Sequence, residues 1–285
     1  MTWKAYRVVF KLRSPMHIGC GKVGNVQRTR FYVTGRVFWG ALTMRLTRDI
    51  TDGSATDSTQ YECYGNKVNK QLAYTYFYPA IKSNGDYSIE WFWNNESQFR
   101  RRFLSSYAST ALVYPQQAAD EGLLHEVEFI SPRTLDEGKQ VYLIGYVFEK
   151  EGCDIKNEWK DACQRLQMGG ERGYGWGDVK CVEVKEITDT QQLFNADYSW
   201  HEQNGSVMIE MLENLPLLAH TKTTESLSVQ GEVEPLVGRE WKVSHQAGES
   251  VAFSGLCWSP GSIVERSNFI INNFGIWSDS NSRSI

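Results

Sequence analysis

Ten residues in the middle of the chain, Gly169-Gly170-Glu171-Arg172-Gly173-Tyr174-Gly175-Trp176-Gly177-Asp178, hold five glycines with one guanidinium and two aromatic rings between them. Glycine reaches positive φ and lets another molecule approach the main chain closely. Arginine forks onto phosphate, and flat rings stack on bases. Arg172, Tyr174 and Trp176, carried on a backbone opened by Gly170 and Gly175, therefore suit an RNA or nucleotide better than a small metabolite. The structural alternative is a tight loop between a helix and a strand, with both rings tucked into the core. Gly173-x-Gly175-x-Gly177 is no dinucleotide fingerprint, because it precedes a strand pattern and not a helix.

A second set of residues bears on catalysis. Metal-independent RNA cleavage needs a general base and acid near the 2′-hydroxyl, and a cation for the phosphate. His17 is the one histidine in the basic first segment, with Lys22 or Tyr32 as its partner in such a scheme. A lone histidine after a strand more often caps a turn or packs under a loop. His125 lies beside Glu126 and Glu128, a poor setting for RNA, and His201, His220 and His245 share no motif. Nucleophile elbow, Walker loop and paired-carboxylate metal motif are all missing. The cysteines at 20, 63, 153, 163, 181 and 257 are scattered without Cys-x-x-Cys spacing, so free thiols in a reducing cytoplasm are expected. These patterns predict no catalytic residue, no metal and no cofactor.

The net charge of −4 hides an asymmetry. Residues 1–50 hold ten basic side chains against one acid, Asp49, while the remainder holds twenty against thirty-three. A basic N-terminal segment on an acidic body predicts one face for a polyanion and others for protein partners. Lys22, Arg28, Arg30 and Arg36 are the expected phosphate grip; the alternative is that such charges are solvated faces. Arg100-Arg101-Arg102 carries the same two readings. With 41% hydrophobic and 13% aromatic residues, the chain supports a real core. No apolar run approaches the ~18 residues of a membrane helix, and the start lacks secretory-signal character. A cytoplasmic protein without membrane contact is expected.

The elements that must position these residues follow from periodicity. Residues 6–12 alternate as a strand, and Ser14–Gly21 ends it with turn chemistry. Residues 22–34 are a polar connection with hairpin character. Gly35–Ile50 reads as a helix, with Phe38, Ala41, Leu42 and Leu46 at helical spacing. Residues 51–72 read as a loop. Two strands flank Ser83-Asn84-Gly85-Asp86, a hairpin turn. A short helix over 94–107, strands over 123–130 and 141–149, a helix over 157–168 and a strand over 178–186 complete the order. This is an α+β arrangement, strand-helix-strand-strand-helix-strand with insertions, of ferredoxin-like or RNA-recognition type. It predicts a sheet with one open face and edge loops that clamp RNA. The division expected is a first domain at 1–187, a linker over 188–203, and a smaller, mostly β lobe at 204–285 whose many aromatics mark protein interfaces. The tail from Ser278 is expected to fray.

Four segments together resemble the RAMP superfamily of CRISPR-associated proteins. Ser14-Pro15-Met16-His17-Ile18-Gly19-Cys20-Gly21 is similar to a family motif after the first strand. Thr34-Gly35-Arg36-Val37-Phe38-Trp39-Gly40-Ala41-Leu42 is similar to the start of the family's first helix, with Arg36 and Trp39 in place of small or lysine positions. The loop at 169–177 resembles the family's glycine-rich loop. Ala118–Val127 resembles a stretch of the type III effector subunit that grips the 5′ handle of guide RNA. The mid-chain loop fits that branch better than the repeat-cleaving branch. The resemblance implies a ferredoxin-like RAMP domain and a non-catalytic crRNA-binding subunit in antiviral defence, which holds the repeat-derived handle and touches the large polymerase-like and backbone subunits. The alternative is a metal-independent endoribonuclease that processes repeat RNA; a β-rich interaction protein is a third reading. The RNA-contacting set expected is His17, Lys22, Arg28, Arg30, Arg36, Gly170, Arg172, Tyr174, Gly175 and Trp176.

Overall fold

Strand β1, Trp3–Leu12, is buried on both faces, and its alternation shows what lies on each. Tyr6, Val8, Phe10 and Leu12 point into one hydrophobic cluster, and Trp3, Ala5 and Val9 into another. The computed structural model describes residues 2–51, 57–114, 118–188, 192–194, 197–211, 214–241, 248–265 and 267–280. The fold is α+β. β1 sits between the strands Val179–Glu186 and Val141–Lys150, and the latter also pairs with Tyr78–Ser83, every neighbour antiparallel. Counted along the chain, the four strands lie in the order fourth, first, third, second. The hairpin partner Asp86–Ile89 extends this sheet. Its turn uses Asn84 and Gly85, both at positive φ (50° and 90°), as a two-residue hairpin loop requires.

Helix α1, Gly35–Ile50, begins after Thr34 and lays Phe38, Ala41, Leu42 and Leu46 on the sheet. Residues 58–71, expected as a loop, are instead helix α2, Ser58–Gln71, capped by Asp57, whose carboxylate accepts from Thr59 N at 2.9 Å. Its polar sequence carries little apolar stripe. Only Ser58, Gly65 and Val68 are buried, and a Cβ at Gly65 would stand 2.7 Å from the Trp39 ring. Close approach of α1, not periodicity, makes this segment helical. Helix α3, Glu96–Phe103, is shorter than the 94–107 expected, because the chain turns into the strand Leu104–Ser109. Helix α4, Lys156–Cys163, buries Trp159, Ala162 and Cys163 beside α1. A second small sheet joins β2, Gly19–Val23, and β3, Val26–Thr29, to His125–Ile130 and Leu104–Ser109.

The other face of the main sheet is not open. Tyr76, Tyr78, Ile144, Tyr146 and Phe148 share a cluster with Phe194, Tyr198, Trp200, Ile209, Leu217, Phe269 and Trp277 of the C-terminal lobe. An open RNA-binding sheet face is therefore ruled out by burial: aromatic side chains there gain more from a partner sheet than from solvent. The same packing corrects a further expectation. The stretch 188–203 contains strands Gln192–Leu193 and Tyr198–Gln203 of the C-terminal sheet and is no linker. Of the lobe's aromatics, Phe269 and Trp277 fill the core and Trp258 packs against it, whereas Phe253 is exposed. In the tail, Trp277–Asp279 is a strand, and residues 281–285 lie outside the described residues, as does His245. Among the described residues no helix is long and apolar enough to cross a membrane.

Candidate nucleic-acid interface

Two motifs far apart in the chain, Ser14–Gly21 and Gly169–Gly177, are joined here by main-chain hydrogen bonds. Gly177 N donates to Pro15 O at 2.7 Å, and Gly170 N donates to His17 O at 2.8 Å. Asp178 N donates to Ser14 Oγ at 2.9 Å. The glycine loop is thus docked along Ser14–His17 at both of its ends. Two glycines are required here, one by the docking and one by the loop's own base. Gly169 (φ 86°) would place a Cβ 2.4 Å from His17 O, and Gly177 (φ 78°) a Cβ 1.9 Å from Met168 O, across the base of the loop. Gln167 pins the interior, its Nε2 donating to Arg172 O at 3.0 Å and Trp176 O at 2.8 Å.

With its ends held, the loop projects its middle. Arg172–Tyr174 forms one 3-10 turn closed by Gly175 at φ 81°. Tyr174 is 84% exposed. Arg172 is exposed, lies against Met44 Sδ at 3.2 Å and forms no ion pair with a described residue. Trp176 differs: its ring stands edge-on to Phe129, centroids 4.9 Å apart, and packs near Tyr107. Of the two rings, one is open to solvent and one is half-buried against the small sheet.

His17 is 6% exposed. Its Nδ1 donates to Glu128 O at 2.7 Å, so in the neutral ring Nε2 is the acceptor. That nitrogen lies 3.2 Å from where a Cβ on Gly19 would stand, and His17 borders the cleft described below.

The basic N-terminal segment is largely neutralised from elsewhere in the chain. Seven of its ten cations, Lys4, Arg7, Arg13, Arg28, Arg30, Arg36 and Arg45, form ion pairs. Arg28 Nε reaches Glu128 Oε2 at 3.0 Å. Arg36 Nη1 reaches Glu240 Oε1 at 3.0 Å and its guanidinium lies over the Phe274 ring at 4.0 Å. Lys22, exposed on β2, forms no ion pair with a described residue, and the same holds for Lys11 and Arg48. Of the expected phosphate grip, Lys22 alone presents a cation without a carboxylate among the described residues.

A cleft of ~800 Å³ opens beside the docked loop, between α1 and the strand Val233–Glu240 of the C-terminal lobe. Arg48, Arg172 and Arg239 line it together with Arg36, and the Tyr61 and Trp241 rings stand in its wall 5.2 Å apart. Cations, rings and a Gly-bounded mouth in one cleft can take a phosphodiester and an unstacked base. Arg48, Tyr61, Arg239 and Trp241 were not singled out from the sequence. Arg48 sits in the basic segment and was legible there; Tyr61 falls in the misread helix, and the last two come from the other lobe.

Behind the cleft, a buried polar chain ties the lobes. The Tyr76 hydroxyl bonds His220 Nδ1 at 2.8 Å, and His220 Nε2 donates to Glu234 Oε1 at 2.7 Å. Ser259 Oγ donates to the same oxygen at 3.0 Å. Burial lowers the His220 pKa, outweighing the bond to Glu234, which raises it. Burial pushes the Glu234 carboxyl up, but hydrogen bonds from His220 and Arg30 prevail and hold it far below the usual carboxylate range. Among the described residues no group of three or more His, Cys, Asp or Glu side chains could hold a metal ion.

No family model and no curated protein matches this chain. Among solved structures it is distantly similar to chains of the Type III-B Cmr-beta complex. One, from the complex bound to cognate target RNA, has a TM-score of 0.41 and 10% identity over 64% of this chain and 96% of that chain. Another, from the complex with cognate target RNA and AMPPnP, has a TM-score of 0.48 and 12% identity over 91% of this chain and 86% of that chain. A third, from the apo state, has a TM-score of 0.42 and 9% identity over 65% and 98%.

Proposed function

We propose that this protein is a non-catalytic RNA-binding subunit of a type III CRISPR effector complex, acting in the cytoplasm. In this reading it grips the 5′ repeat-derived handle of the crRNA and joins the large polymerase-like subunit to the backbone subunits. The carrying observation is the docking of the glycine loop on Ser14–His17, which sets Arg172 in the wall of an arginine-lined cleft and leaves the Tyr174 ring exposed on the same turn. The four segments that resemble the RAMP superfamily include both partners of that docking. The fourth-first-third-second strand order, with α1 and α4 on one face, supports the ferredoxin-like RAMP domain. The His17 ring, 6% exposed and bonded to a main-chain carbonyl, supports a structural role for the one histidine at the loop.

The test is a gel-shift and cleavage assay with a repeat-derived RNA, with and without divalent metal, alongside co-expression with the large and backbone subunits and a CRISPR array. The expected result is weak binding without cleavage by the isolated chain, and co-purification with the subunits and guide RNA. Site-specific cleavage by the isolated chain, abolished by His17→Ala, would replace this reading with the endoribonuclease one.

A further inference from the structure

A second cleft, of ~590 Å³, lies on the other side of the Asn273–Gly275 turn from the arginine cleft and shares Asn69, Phe274 and Ile276 with its walls. Its composition is unlike the first. Three lysines line it: Lys70 from the last turn of α2, Lys150 from the end of Val141–Lys150, and Lys222 from the short strand Thr221–Lys222. All three are exposed, and none forms an ion pair with a described residue. Among the described residues no Asp or Glu lines the cleft, whereas Glu62 and Glu240 line the arginine cleft.

Three like charges gathered from three separate elements, in a chain of net charge −4, repel one another without a counter-charge. The nearby carboxylates are engaged elsewhere. Glu149, next to Lys150 in sequence, is buried on the opposite face, where it accepts from Trp159 Nε1 at 2.7 Å and pairs with Lys160. Glu202, within electrostatic reach of Lys150, accepts from Thr2 N at 2.6 Å. Beside the lysines stands Phe253, 63% exposed on the strand Ser250–Trp258. Lysine binds phosphate as a mobile point charge, and an exposed ring offers a base a face to stack on. The volume falls in the range of about 300–1,000 Å³ usual for ligand clefts.

We propose that this cleft is a second single-stranded nucleic-acid site, with the phosphates on Lys70, Lys150 and Lys222 and one base on Phe253. The inference does not depend on the guide-handle reading, since it concerns a different cleft and requires no handle sequence.

The experiment measures binding of a labelled oligoadenylate of about ten nucleotides against salt, in the Arg172→Ala/Tyr174→Ala/Trp176→Ala background, so that the glycine loop contributes nothing. Adding Lys70→Gln/Lys150→Gln/Lys222→Gln should weaken binding at least fivefold. It should also make the slope of log K against log salt shallower by about 2, at roughly 0.7 per phosphate contact. Phe253→Ala should weaken binding while leaving the slope in place, which separates stacking from charge. A photoactivatable base in the same oligonucleotide should crosslink to the peptide containing Phe253. Unchanged affinity and slope in the lysine variant, no binding by the background protein, or crosslinks confined to the glycine loop would each overturn the proposal. Handle-specific binding by the unmodified chain is scored separately and bears only on the guide reading.

Discussion

The Arg30 guanidinium meets the Glu234 carboxylate as two parallel hydrogen bonds, Nη1 to Oε1 at 2.8 Å and Nη2 to Oε2 at 2.7 Å. Both side chains are mostly buried, and they join the N-terminal segment to the C-terminal lobe across 204 residues of sequence. Arg30 was expected to hold phosphate. In the folded chain its fork is occupied, and His220 and Ser259 complete the coordination of Glu234. The pair therefore fixes the angle at which the lobe closes the arginine cleft.

Removing the carboxylate leaves Arg30 and His220 with unmatched donors. Glu234→Ala should cost about 3 kcal/mol, the low end of the range for breaking a buried pair. Urea denaturation reads the loss. Equal midpoints for the variant and the unmodified chain would mean the lobes are held by apolar packing alone.

The same junction sets a pH dependence. His220 is held neutral, its folded pKa below the ordinary 6.5, and Glu234 is held ionised, its folded pKa below the ordinary 4.5. For both groups the unfolded chain takes up protons first as pH falls, so stability present above the ordinary pKa is lost on acidification. Melting temperature should decline from below about pH 6.5 and more steeply below about 4.5. In Glu234→Gln the steeper part should flatten, and scans across pH 3–8 check it.

The two rings of the glycine loop should separate by assay. Tyr174→Ala should weaken RNA binding by roughly 1–3 kcal/mol, the worth of one base stack, with no change in melting temperature. Trp176→Ala removes the edge contact to Phe129 and should lower melting temperature as well. If Tyr174→Ala binds repeat RNA as the unmodified chain does, the exposed ring has no base upon it.

Gly169→Ala tests the docking. A Cβ there would meet His17 O at 2.4 Å with φ at 86°, so the loop must shift away from Ser14–His17 to accept it. RNA affinity should fall at least tenfold although no RNA-facing side chain has changed. Gly173→Ala, at a position with open space around it, should be tolerated. Matching affinities for the two variants would argue that docking does not position Arg172 and Tyr174.

Much of the scaffold was legible as sequence because it depends on neighbours along the chain. The 3.6-residue spacing of Phe38, Ala41, Leu42 and Leu46 predicts α1 over the residues it occupies. Alternation in β1 and the Asn84-Gly85 pair predict a strand and a hairpin that are both present. The glycines at 169–177 mark the loop, and their demand for positive φ at 169, 175 and 177 is met. Other features were decided only by the tertiary structure. Helix α2 owes its stability to Gly65 and Val68 against α1, not to a stripe of its own. The second face of the main sheet was taken by residues beyond 190. Above all, charge counted along the sequence does not say which cations are spent. Arg28, Arg30 and Arg36 meet Glu128, Glu234 and Glu240, from 100 to 204 residues away, while Arg172 and Lys22 meet none among the described residues. Pairing is a matter of distance in space, and folding alone sets that distance.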